Sequence, residues 1–168
     1  PRILQIGTME NKNIPNLAKA LKGISCRLVV VGELSETQRS VLESNEIDFE
    51  CVSDLADDEM RDQYFKADLI TYCSTYEGFG LPIIEAQAVG KPVVTSNLNP
   101  MKETAGTGAC LVDPFDVESI RAGILSVIND VSHRSGIVEA GFKNVKRFDP
   151  SLVAAQYEKL YCEIFDSL

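Results

Sequence analysis

The sequence predicts an α/β fold, a parallel sheet covered on both faces by helices, and three observations carry that prediction. Apolar runs of strand length alternate with helical patterns along most of the chain. The runs are near-continuously apolar, as in the Leu-Val-Val-Val of residues 28–31, which marks strands buried on both faces. The chain has 168 residues and is 45% hydrophobic, enough for one domain with a sizeable core and too much for a disordered segment.

The strands are expected at 3–6, 27–31, 49–52, 69–72, 92–95 and 109–112, with helices between them at 15–21, 36–44, 57–65 and 82–89. Ile120, Ile124, Val127 and Ile128 recur at helical spacing, with Glu118 and Ser119 near the start of that helix. Beyond Asp130 the pattern is helical throughout: 131–146, a break at Asp149-Pro150, then 151–165, which Ser151 is placed to cap. Residues 1–168 therefore read as one domain with two closing helices. Because a core strand begins at once after Pro1, the chain is expected to be a piece of a longer protein. It shows neither a signal-peptide pattern nor an apolar run of the roughly 18 residues that suggests a membrane span.

The net charge of −9, with no dense basic patch, argues against nucleic-acid binding. The five cysteines, at 26, 51, 73, 110 and 162, are odd in number and form no CxxC motif or Cys/His cluster. They are expected as reduced, buried, small apolar residues of a cytoplasmic protein. No strict Asp-x-Asp and no ligand cluster supports a metal site. His133, the single histidine, is expected at the surface or in a capping role.

The segment richest in chemistry is 74–86, Ser-Thr-Tyr-Glu-Gly-Phe-Gly-Leu-Pro-Ile-Ile-Glu-Ala, directly after the strand at 69–72. Gly78 and Gly80 let a ligand approach the backbone, and Pro82 suits a first helical turn, in which Glu85 is expected too. The sequence thus builds a strand, a glycine loop and a helix N-terminus, where free N–H groups and the helix dipole favour phosphate. Carboxylates beside a phosphate would be repelled by it, so Glu77 and Glu85 make sense as acceptors from neutral hydroxyls. A sugar and a ribose joined by a diphosphate supply such hydroxyls. The plain alternative is a tight strand–helix turn with a capping glutamate. The segment is neither a Walker loop nor a GxGxxG fingerprint.

Glu77 and Glu85, with seven residues between them, resemble the E-x7-E motif of retaining GT-B glycosyltransferases of the group 1, or family 4, type. The context is similar as well: Ala-Asp-Leu-Ile at 67–70, Glu-Ala-Gln-Ala-Val-Gly-Lys-Pro-Val-Val at 85–94, Glu-Thr-Ala-Gly at 103–106, Val-Asp-Pro at 112–114, and the opening Gly-Thr-Met-Glu-Asn-Lys-Asn at 7–13. The resemblance runs in order over nearly the whole chain. It implies a Rossmann-like, nucleotide-sugar-binding C-terminal domain, whose acceptor-binding N-terminal domain is missing from this sequence.

The resemblance assigns donor-sugar hydroxyls to Glu77 and the nucleotide ribose to Glu85. The backbone of Gly78, Phe79, Gly80 and Leu81 would contact the sugar and diphosphate. Gly7 and Thr8 would border the site. Lys12 would neutralise the leaving diphosphate, the alternative being a solvated surface lysine. The base would lie near Cys51 and Val52. Catalytic roles fall to Lys12 and Glu77. No metal or other cofactor is implied: the nucleotide-sugar, such as a UDP- or GDP-sugar, is a substrate, and the acceptor is a glycan or lipid-linked hydroxyl of surface polysaccharide or glycan synthesis. The sequence departs from the family at Glu50, where glycine is common, and at Thr8, where many members carry arginine. The stripe Tyr157, Leu160, Tyr161, Ile164 and Phe165 either packs on its own domain or meets the N-terminal one. The isolated domain is expected to be inactive, and membrane association of the whole enzyme stays open. Other readings are a nucleotide-sugar epimerase or glycan phosphorylase of the same architecture, a non-catalytic nucleotide-binding module, and a receiver-type signalling domain, whose acidic cluster and phosphorylatable aspartate are missing.

Overall fold

The computed structural model describes residues 1–166. Six strands form one parallel sheet: β1 (Arg2–Ile6), β2 (Arg27–Val31), β3 (Asp48–Val52), β4 (Leu69–Tyr72), β5 (Val93–Ser96) and β6 (Cys110–Val112). Their order is β3-β2-β1-β4-β5-β6. Between β1 and β4 the order reverses direction, so the connections leaving these two strands diverge and open a crevice at their carboxyl ends, where such sheets bind ligands.

The strands bury both faces because residues of each parity are apolar. On one face Ile3, Leu28, Val30, Leu69 and Val94 pack against helices α1 (Ile14–Leu21), α2 (Glu36–Ser44) and α6 (Val117–Asn129). On the other, Leu4, Val29, Ile70, Tyr72 and Val93 meet α3 (Asp57–Lys66), α4 (Leu81–Ala88) and α5 (Met101–Ala105). This second face carries the helices beside the expected site. α7 (Val131–Asn144) packs on α4 and α6. A buried polar network fixes it there: Asn144 Nδ2 donates to Gln87 Oε1 and to the Thr104 carbonyl, both at 2.8 Å, and Gln87 Nε2 donates to the carbonyls of Ala105 and Gly108.

The structure corrects several boundaries. α5 and the 3-10 turn Glu10–Lys12 escape the sequence pattern because each is too short to show a period. α7 ends at Asn144, and a 3-10 segment, Val145–Phe148, follows where the α-helix was expected to run to 146. The final helix, α8 (Pro150–Asp166), is capped by Asp149 rather than Ser151: Asp149 Oδ1 accepts from the N–H groups of Ser151 and Leu152. Pro150 takes the first helical position, which moves the cap two residues earlier. Positions 167 and 168 lie outside the described residues. Asp116 caps α6 through the N–H of Glu118, while the Ser119 hydroxyl accepts from Asp113 N. His133 enters the first turn of α7, its N–H capped by Asp130.

The cysteines are free, but only Cys73 is buried; Cys51 and Cys162 are exposed and Cys26 and Cys110 half-buried. β3 is an edge strand that buries none of its residues fully, and Cys51 is one of its two exposed positions. α8 buries no residue, and its stripe is exposed, from 47% at Leu160 to 79% at Phe165, where one reading expected it to be buried against this domain. Among the described residues, no helix is long and apolar enough to cross a membrane.

Candidate functional site

Two loops meet at the crevice, and side-chain amides join them. β1 gives way to Gly7, whose φ of 84° and missing Cβ both favour glycine: a Cβ there would lie 2.8 Å from Lys12 Cε. The glycine thus lets Lys12 fold back over the strand end. Asn13 follows in the left-handed conformation, φ 60°, and donates through Nδ2 to the carbonyls of Cys73 and Pro114. Asn11 ties its loop to the one after β4. Its carbonyl accepts from Thr75 N at 2.9 Å, and its Nδ2 donates to Tyr76 O at 2.7 Å and to Glu77 Oε1 at 3.2 Å.

Lys12 and Glu77 pair directly. Lys12 Nζ donates to Glu77 Oε1 at 2.5 Å and to the Tyr72 hydroxyl at 2.9 Å. The two charged side chains are only 14% and 12% exposed. Burial first, and then the hydrogen bond to the Glu77 carboxylate, raise the Tyr72 hydroxyl above the ordinary tyrosine range, so it stays a donor at neutral pH. Lys12 is therefore not a solvated surface lysine.

The glycine loop then enters α4. Gly80 sits at the N-cap with φ 99°, and a Cβ there would meet Ile83 Cδ1 at 3.0 Å. Thr104 Oγ1 donates to the Phe79 carbonyl at 2.7 Å and braces the loop from α5. The N–H groups of Gly78, Phe79, Gly80 and Leu81 have no protein acceptor among the described residues and mark the positive end of the helix. Pro82 lies in the first turn as expected, but Glu85 is the fifth helical residue, just past it, because the helix starts at Leu81 rather than at Pro82. Glu85 Oε2 accepts from the Tyr64 hydroxyl at 2.5 Å. These two residues line a groove of about 350 Å³ between α3 and α4, with Asp57, Met60, Arg61, Ala88 and Val89.

The expected base region divides between the faces. Val52 packs with Ile6 and Met60 against the site-side cluster, whereas the Cys51 side chain turns to the other face, beside Arg39 of α2. Thr8 packs against Gly32, and its carbonyl accepts from Gln38 Nε2 of α2 at 2.6 Å. Arg27 and Arg2 hold the Glu50 carboxylate at 2.7 and 2.8 Å and keep it below the ordinary carboxylate range. Sequence reasoning missed Asn11, Tyr64, Tyr72 and Thr104, whose contacts join residues 21 to 66 positions apart. Asn11 alone had a local signal, lying within the 7–13 opening. A larger cavity, about 510 Å³, lies by Lys91, Pro92, Arg134 and Phe142, where β4 and β5 begin, and holds none of these groups. Among the described residues, no cluster of three or more His, Cys, Asp or Glu could hold a metal ion.

A six-stranded parallel sheet ordered 3-2-1-4-5-6, with a glycine loop, a free helix N-terminus and a lysine–glutamate pair at its switch point, defines a doubly wound α/β domain with its ligand crevice at the carboxyl edge. The chain belongs to the family described as glycosyl transferases group 1, whose model it matches over residues 1–144. It is 40% identical over 92 residues to the O-antigen chain mannosyltransferase B of Escherichia coli, a match covering 55% of this chain and 24% of that protein. Among solved structures it is similar to the sucrose-phosphate synthase of Thermosynechococcus elongatus, with a TM-score of 0.84 and 25% identity over all of this chain and 46% of that one. It also superposes on the C-terminal domain of a group 1 glycosyl transferase (LpcC) from Francisella tularensis, TM-score 0.72 and 21% identity, covering 86% of this chain and 83% of that one. Its fold is that of a GT-B C-terminal domain. The chain thus spans less than half the length of the mannosyltransferase and of the synthase.

Proposed function

We propose that this domain binds a nucleoside-diphosphate sugar and presents its anomeric carbon for transfer of the glycosyl group to an acceptor hydroxyl, with retention of configuration. The observation that carries the reading is the juxtaposition of Lys12, paired with Glu77, and the free N–H groups of Gly78 to Leu81 at the start of α4. A diphosphate is dianionic or more, and a fixed cation with oriented amides is suited to the charge that develops as it leaves. Glu77 is placed to accept from sugar hydroxyls, and Glu85, in the groove between α3 and α4, from the ribose. Val52 and the apolar groove wall offer a floor for the base. This reading calls for no metal or organic cofactor; the nucleotide-sugar would be consumed as a substrate.

The acceptor, a glycan or lipid-linked hydroxyl, would bind on a second, N-terminal domain of the same protein that covers the crevice and excludes water. The hexosyl transfer named for the similar mannosyltransferase, and its O-antigen product, support a role in polysaccharide synthesis. Five cysteines that form no disulfide with one another are compatible with the cytoplasmic setting we propose. The chain alone is expected to bind donor weakly and to turn over negligibly.

Calorimetric titration with UDP and GDP tests the reading, beside a Glu85→Ala variant. Saturable binding of one nucleotide, weakened by about 1–3 kcal/mol in the variant, is expected for loss of a charge-assisted hydrogen bond. Equal binding by wild type and variant, or none by wild type at millimolar nucleotide, would overturn the assignment.

A further inference from the structure

Glu85 is an exposed residue of α4, where a glutamate ordinarily samples several rotamers. Here one of its oxygens is held. Tyr64 comes from α3, 21 residues earlier in the chain, and its hydroxyl reaches Glu85 Oε2 at 2.5 Å. The Tyr64 residue is only 4% exposed and belongs to the cluster that includes Leu4, Ile70, Ile83 and Ala86. A ring so enclosed keeps one orientation, so its hydroxyl is a fixed point at the edge of the groove.

The core itself has no use for that hydroxyl. Phenylalanine would fill the same volume without a polar atom to desolvate, and a buried hydroxyl is tolerated only when bonded. Its one partner among the described residues is Glu85. Burial first, and then the Glu85 carboxylate, push the phenol far above the ordinary tyrosine range, so it donates throughout the working pH range. Glu85 Oε1 has no protein donor among the described residues and is left for a ligand.

We propose that Tyr64 is a positioning residue: its hydroxyl pins one carboxylate oxygen of Glu85 and so aims the other into the groove between α3 and α4, pre-organising the nucleotide site. This rests on the donor-site reading above. Tyr64 touches no substrate in this scheme and acts only through Glu85.

The test is a double-mutant cycle read by calorimetry with UDP and GDP, on wild type, Tyr64→Phe, Glu85→Ala and the double variant, with a thermal melt of each. Tyr64→Phe is expected to weaken the nucleotide about three- to tenfold, the scale of one hydrogen bond, while leaving the melting temperature nearly unchanged. In the Glu85→Ala background the same substitution is expected to change affinity less than twofold, a rough bound set by additivity error. A merely structural role would instead lower the melting temperature and weaken binding equally in both backgrounds, which would overturn the proposal. So would full affinity in Tyr64→Phe when Glu85→Ala binds weakly. Failure of Glu85→Ala to weaken binding, or no binding to wild type, would instead remove the donor-site reading and this inference with it.

Discussion

Removing the Lys12 charge is the most searching test of how the site holds itself together. Lys12→Met keeps the length of the stem but leaves Glu77, 12% exposed, without its cation. Taking one partner from a fully buried pair costs about 3–5 kcal/mol. Glu77 is not sealed from water, and Asn11 and Tyr72 remain beside its carboxylate, so the expected loss is smaller, about 1–3 kcal/mol. At this chain length each kcal/mol lowers Tm by about 2–4 °C. Glu77→Gln alone leaves the lysine unpaired and is expected to cost a similar amount. The informative variant is the double one, because it removes both charges together. Chemical denaturation of the four proteins should show the double substitution costing at least about 1 kcal/mol less than the two single costs combined. If the two costs add within about 0.5 kcal/mol, the pair contributes no coupling and the geometry argued for the crevice is wrong.

Four further outcomes are expected. Glu50, held by Arg27 and Arg2, has its carboxyl depressed in the folded chain, so its stabilisation is present at neutral pH and is lost as pH falls through the carboxylate range. Glu50→Gln should therefore cost under about 1 kcal/mol at pH 7, given an exposed edge, and the gap from wild type should close below about pH 4 in pH-stepped denaturation. Cys73, pushed up to about 12 by burial, should resist alkylation in the native chain at pH 8, while Cys162 and, more slowly, Cys51 react; peptide mass mapping reads this, and early labelling of Cys73 would contradict its placement. Gly108→Ala places a Cβ 2.6 Å from Gly141 Cα, where backbone cannot yield, and should lower Tm sharply. Gly136→Ala, in mid-α7 with open space around it, should instead stabilise by about 0.5–1 kcal/mol.

The parts of this protein that were legible in its sequence are those written in local pattern. The six strands show because each is a short apolar run bounded by polar turns. The glycine loop and α4 show because Gly78, Gly80 and Pro82 each answer a backbone requirement within a few residues. The 3-10 turn at Glu10–Lys12 and the five-residue α5 have no length over which a period can repeat, and they went unseen. The cysteines misled because apolar neighbours in sequence do not say which face of an edge strand is covered, and Cys51 faces outward beside Arg39.

The site divides along the same line. Glu77 and Glu85 could be picked out because a short motif holds them, and Lys12 because it lies in the 7–13 opening, but the groups that aim them lie far away in sequence. Asn11 meets Glu77 across 66 residues, Tyr72 meets Lys12 across 60, and Tyr64 meets Glu85 from the preceding helix. Each is an ordinary residue in its own segment: a loop asparagine, a strand tyrosine, a helix tyrosine. Their significance arises only from the strand order, which sets β1 beside β4 and lays α3 next to α4. The chemistry of this crevice is therefore specified twice, once by a local motif that supplies the charges and once by the topology that fixes where those charges point. A sequence carrying the motif without the tyrosines and Asn11 would keep the charges but lose their aim.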